Sequence, residues 1–190
     1  MTRILITRHG ETVWNTVFRM QGRNNSPLTD KGISGAVDLG QRISAEGITI
    51  DHCLVSPMPR ALHTAHFIRK HSGLSYSIDI EPLLMEMDLG SWEGLCYEEA
   101  RQAYPEMFSN FKTKPDKYIP VDKGETFQDV YDRANELLGK IKERYSEGTV
   151  LLVSHMILVQ GLLCIASGND VSHLRDNEPI KQTTLYEIDL

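Results

Sequence analysis

Short apolar runs alternate along the chain with longer segments whose apolar residues fall three or four apart. "RILIT" near the start, "HCLVS" (52–56) and "TVLLVSH" (149–155) are continuous apolar stretches of the kind that form strands buried on both faces. "YSIDI" reads as a third, shorter strand, and the tail "TTLYEIDL" alternates well enough for a final one. Between them, "SPLTDKGISGAVDLGQRISAEG" predicts a helix capped by Thr29, with Ile33, Val37 (or Ala36), Leu39 and Ile43 in roughly helical register. "RALHTAHFIRKH" predicts a second helix ending near Gly73, and a short one falls near Glu98–Tyr104. "TFQDVYDRANELLGKIKERY" reads as a long amphipathic helix capped by Thr126, and "ILVQGLLCIAS" as an apolar one. The stretch 105–123 is loop-rich, with aromatics that suggest a packed insertion or lid rather than a tether. Strands alternating with helices predict a single domain over 1–190, an α/β fold built as a three-layer αβα sandwich around a mostly parallel central sheet.

Composition narrows the function classes. At 190 residues the chain fits one well-filled domain. A formal charge of −6 argues against nucleic acid or an anionic membrane as the main partner, while leaving a small anionic substrate open. The run "ILI" is too brief for the apolar region of a signal peptide, and no stretch approaches a membrane span. Cys53, Cys96 and Cys164 are odd in number and lack CxxC spacing, which fits a reducing, cytoplasmic location. A monomer or homodimer is expected.

Parallel strands deliver their C-terminal ends to one edge, where open α/β sheets bind ligands. Three of the apolar runs end in residues suited to phosphate: Arg8 and His9 after "LIT", Ser56 with Arg60 after "CLVS", and Ser154 with His155 after "LLVS". Singly, each has an ordinary reading: a lone histidine after a strand is usually structural, and a lone arginine is usually a surface charge. An adjacent Arg–His pair at a strand tip is costly unless solvated or paired, so the convergence of all three sites favours chemistry.

"TRHGETVWN", "QGRNNSPLTDKG", "SPMPRALHTA", "MEMDLGSWEG" and "VSH" resemble, in that order, the blocks of the histidine phosphatase superfamily. The closest resemblance is to its phosphoglycerate-mutase-like branch, which includes small cytoplasmic phosphatases. The resemblance implies that His9 attacks phosphorus and becomes a phosphohistidine, and that Arg8, Arg60 and His155 hold the phosphoryl oxygens. It implies a further hydrogen bond from Asn15, proton donation by Glu86, and a substrate-facing loop at Gln21 and Gly22. The chain departs from the family pattern in two places. Asn25 stands where aspartate is common, and Met156 and Ile157 follow His155 where small residues are usual. The flanking guanidiniums should keep His9 neutral. Glu86 lies among Leu83, Leu84, Met85 and Met87, with Asp88 and Glu93 as rivals for its role. His63 and His66 could share a helix face but have no third ligand, so no metal or cofactor is expected. The implied activity is metal-independent hydrolysis of small phosphorylated metabolites. Phosphoglycerate mutase and a non-catalytic phospholigand-binding regulator are the alternatives.

Overall fold

The computed structural model describes residues 2–176 and 178–189. One sheet organises it: β1 (Thr2–Arg8), β2 (His52–Val55), β3 (Ile78–Ile80), β4 (Gly148–Ser154) and β5 (Leu185–Asp189), in the order β3-β2-β4-β1-β5. β1 to β4 run parallel, and β5 closes the edge antiparallel to β1. The helices are α1 (Val13–Thr16), α2 (Asp30–Ala45), α3 (Pro59–Ser72), α4 (Tyr97–Ala103), α5 (Pro105–Thr113), α6 (Phe127–Arg144) and α7 (Met156–Ala166). Leu190, the last residue of the expected tail strand, lies outside the described residues.

The two-residue period of the strands divides the core. Leu5, Cys53, Val55, Leu151 and Val153 face one side and pack on Ala36, Leu39 and Ile43 of α2 and Ala61, Ala65 and Ile68 of α3. Ile4, Ile6, Leu54, Val150 and Leu152 face the other side, against Val130, Ala134, Leu137 and Ile141 of α6 and Leu158 and Leu162 of α7. The result is three layers, and it explains why β1 and β4 read as unbroken apolar runs. The expected caps are present. The Thr29 hydroxyl accepts from the Gly32 N–H, Thr126 and Asp129 cap each other's backbone, and Gly73 ends α3 in the left-handed region at φ 69°.

The stretch 105–123 differs from the loop-rich expectation. Pro105 opens α5, where its missing N–H costs nothing, and a single helical turn follows over Pro115–Lys117. Phe111 and Tyr118 are buried, with their rings 5.6 and 5.7 Å from Trp92 and about as close to Phe127. The segment therefore extends the α6/α7 core over the C-terminal edge of the sheet. That edge is where β2, β4 and β1 end side by side: Arg8 is level with Ser154, and Val55 with Val153.

Candidate active site

His9 continues β1 by one hydrogen bond, its N–H donating to the Ser154 carbonyl at 2.9 Å. Its ring is buried, and Nδ1 lies 2.7 Å from the Gly10 carbonyl. A carbonyl can only accept, so Nδ1 carries the proton and Nε2 keeps its lone pair. Burial first, then the charges of Arg8 and Arg60, hold the ring well below the usual histidine pKa. His9 is thus a neutral imidazole with a fixed tautomer. Gly10 and Gly32 let α2 approach this turn closely, because a Cβ on either would strike the backbone of the other segment.

Arg60, in the first turn of α3, is among the largest fully buried side chains. Nη1 donates to the Asn24 carbonyl at 2.6 Å and Nη2 to the Gly22 carbonyl at 2.7 Å. The loop 21–25 is therefore wrapped around a guanidinium. The Asn25 side chain accepts from the Arg60 N–H and so braces the loop. Gly22 has φ 50°, and any side chain there would collide with Glu93, whose carboxylate accepts from the N–H groups of Arg23 and Asn24. Gln21 is buried beside the loop. Arg8 donates from Nη1 to the Ile180 carbonyl at 2.9 Å. Among the described residues, the buried Nε groups of Arg8 and Arg60 have no partner, and neither guanidinium meets a carboxylate at ion-pair distance. Burial lowers both pKa values, that of Arg60 to about 10.

His155 follows β4 directly and stands at the N-cap position of α7; its ring centroid is 5.1 Å from that of His9. Its Nε2 lies 2.7 Å from the Ser56 hydroxyl, which also accepts from the Met58 N–H. Burial, then Arg60, His9 and Arg8, keep this ring neutral as well. The other ring nitrogen of His155, Nδ1, is buried and without a partner among the described residues. Opposite stands Glu86, whose Oε1 accepts from the Met87 N–H at 3.0 Å and from the Ile157 N–H, at the start of α7, at 3.2 Å. The backbone around Glu86 is clamped. Arg133 of α6 donates to the carbonyls of Leu83 and Met85 at 2.7 and 2.8 Å, and Ser154 donates to that of Leu84. Glu125 pairs with Arg133 and accepts from the Asp88 N–H. Asn15 accepts through Oδ1 from the N–H and hydroxyl of Thr12 and from Gln182, which leaves its amide N–H groups for the cavity it lines.

These residues enclose a chamber of about 50 Å³, lined by Arg8, His9, Asn15, Gln21, Gly22, Arg60 and Glu86 and narrowed by Met156, Ile157 and Phe111. A wider cavity of about 520 Å³ adjoins it, sharing Arg8, Asn15, Arg19, Tyr97 and Met156. The geometry joins a neutral imidazole, two guanidiniums and a carboxyl in a volume suited to one phosphoryl group.

Over residues 4–190 the chain matches the family model described as histidine phosphatase superfamily (branch 1). The chain belongs to the histidine phosphatase superfamily. It is 31% identical over 172 residues to phosphoserine phosphatase 1 of Hydrogenobacter thermophilus, a match covering 90% of this chain and 79% of that one. It is 35% identical over 158 residues to the probable phosphoglycerate mutase GpmB of Cronobacter sakazakii, covering 82% and 70% respectively. Its fold superposes on the solved structure of Bacillus stearothermophilus YhfR with a TM-score of 0.91 at 36% identity, over 100% of this chain and 92% of that one. The chain is a phosphomonoesterase of the histidine phosphatase type.

In this histidine phosphatase the residues singled out from sequence come together around one chamber: Arg8, His9, Asn15, Gln21, Gly22, Arg60 and Glu86 line it, and the His155 ring lies next to that of His9. The rivals of Glu86 have other occupations. Asp88 pairs with Arg23 at 3.2 Å and accepts from the Gly90 N–H, while Glu93 braces the loop 21–25. His63 and His66 lie along α3, and no group of three metal-ligating side chains occurs among the described residues. Sequence reasoning missed Arg133, Glu125 and Gln182, which hold Glu86 and Asn15 in place. It noted Ser56 and Ser154 only as strand ends, without their bonds to His155 and to the Glu86 segment.

Proposed function

We propose that the chain hydrolyses small phosphomonoesters through a phosphohistidine on His9, without a metal ion. The observation that carries this reading is the pair of guanidiniums, Arg8 partly buried and Arg60 fully buried, neither of which meets a carboxylate at ion-pair distance among the described residues. Leaving two such charges unpaired is costly, and a phosphate dianion between them removes the cost. His9 Nε2 attacks phosphorus as the ester P–O bond breaks, and the leaving alkoxide takes the proton of the Glu86 carboxyl. Arg8, Arg60, His155 and the Asn15 amide hold the three spread-out charges of the phosphoryl group. Water then attacks the phosphohistidine, Glu86 takes back a proton, and the N–P bond breaks to release phosphate. With these donors the charge is met by side chains alone, and the set contains no carboxylate cluster of the kind that holds Mg²⁺.

The same nucleophile could return its phosphoryl group to substrate, as a mutase does. The wide cavity beside the chamber favours hydrolysis, because it admits water to the intermediate. The cysteines are free, with Cys53 and Cys164 buried, in keeping with a reducing cytoplasm. The deciding experiment quenches enzyme during turnover of ³²P-labelled ester. Acid-labile label on His9, absent from His9→Ala, together with net phosphate release is the expected result. Label on another residue would overturn the nucleophile, and exchange between 2- and 3-phosphoglycerate without phosphate release would make the chain a mutase.

A further inference from the structure

The wide cavity carries a charge pattern that phosphoryl transfer does not need. Arg19, Lys112 and Arg175 line it together with Arg8, and among the described residues its one acid is Glu11. Glu11 is already engaged, accepting from the Lys31 ammonium at 2.9 Å and from the Thr29 hydroxyl. The net field of the cavity is therefore positive, in a chain whose formal charge is −6.

Arg175 is held in place for binding. Nε donates to the Phe111 carbonyl at 3.2 Å and Nη1 to Gln160 Oε1 at 2.7 Å, and the guanidinium carbon lies 4.9 Å from the rings of both Phe111 and Phe127. Nη2 is buried and has no hydrogen-bond partner among the described residues. A guanidinium fixed by two aromatic rings and two hydrogen bonds has little conformational freedom left to lose when an anion arrives. Lys112, one residue beyond Phe111, sits 5.0 Å over the Tyr97 ring and has no ion-pair partner among the described residues. Burial and then the neighbouring Arg175 charge lower its pKa, so the two cations feel one another. Such a pair repels until an anion comes between them.

We propose that Lys112 and Arg175 hold a second anionic group on the leaving half of the substrate, so that the chain selects phosphomonoesters of small acidic molecules. This deepens the phosphomonoesterase reading and rests on it. Tyr97 and Met156, which line both spaces, form the passage across which the phosphoryl end and the second anion are held apart. A cavity of about 520 Å³ accommodates the remainder of a small metabolite.

The test compares kcat/KM within matched pairs. 3-Phosphoglycerate and glycerol 3-phosphate differ in a carboxylate, and fructose 1,6-bisphosphate and fructose 6-phosphate in a second phosphate, so the pair showing the preference identifies the anion. We expect a preference of at least about tenfold for the more acidic member of one pair, the worth of one charge-assisted hydrogen bond. It should appear mostly in KM, shrink to within about threefold in Lys112→Met, and return in Lys112→Arg. Arg175→Gln should act in the same direction where the variant folds. Equal kcat/KM within both pairs, alongside good turnover of p-nitrophenyl phosphate, would overturn the proposal and leave the phosphomonoesterase reading standing. A preference that survives Lys112→Met would overturn it too. Failure to hydrolyse any of these esters would overturn both.

Discussion

Two neutral histidines buried at the centre of the site make stability fall on the acid side of neutrality. His9 and His155 have folded pKa values well below the reference 6.5, from burial and from the surrounding cations. The sign is the reverse of a histidine that gains a carboxylate partner. The unfolded chain takes up protons below pH 6.5 while the folded chain does not, so the stabilisation is complete above that value and is lost as pH falls. Each ring then costs about 1.4 kcal/mol per pH unit, and the two together about 2.7. That slope holds from the reference value down to the folded values, and it is steep against a typical domain stability of about 5–15 kcal/mol. The carboxylates held low by their partners, Glu11, Glu98, Asp170 and Glu187, have reference values of 4.5, 4.5, 3.8 and 4.5, so their contributions leave at lower pH. Urea melts at pH 7.5, 6.5, 5.5 and 5.0 give the slope directly. Replacing one ring, in His9→Asn, should halve it, whatever that substitution does to stability at pH 7.5. A profile flat down to pH 5, or a slope unchanged in His9→Asn, would show that these rings do not resist protonation.

Three further expectations concern turnover. Glu86→Gln should slow esters with poor alkoxide leaving groups by about 100-fold or more and p-nitrophenyl phosphate far less; equal slowing of both would reduce Glu86 to a positioning residue. Activity should survive prolonged EDTA treatment and be inhibited by vanadate, and loss on chelation that a divalent ion reverses would refute the metal-free account. Arg133→Met frees the Leu83 and Met85 carbonyls, so it should lower kcat about 10- to 100-fold for poor leaving groups with little change in KM. An unchanged kcat would show that Glu86 keeps its place without the clamp.

Arg8, His9, Arg60 and His155 were legible as a group in the sequence because each lies at or just beyond the end of an apolar run that can only be a buried strand. Once the strands are parallel, their tips must share an edge, and adjacency in the chain becomes adjacency in space. The pairing of the last strand was not legible in that way. Alternation in "TTLYEIDL" signals a strand but says nothing of its partner, and it runs antiparallel beside β1. The α5 helix escaped because Pro105 reads as a breaker in the chain, whereas at the first position of a helix it is compatible with one.

Residues that act on other residues leave a fainter trace than those that act on substrate. Arg133 lies among the charged positions of an amphipathic helix, where nothing distinguishes it from the solvated charges around it. Its partners, the Leu83 and Met85 carbonyls, are 50 and 48 residues away in the chain and have no side-chain signature at all. The partner of His155 Nε2 is in the same way Ser56, 99 residues earlier, which in sequence looks like any serine at the end of a strand. Reading such residues requires the register of the sheet and the packing angle of a helix, both set by the whole core. The strand ends announce which chemistry is available; the packing between layers decides which nitrogen carries the proton and where the carboxyl stands.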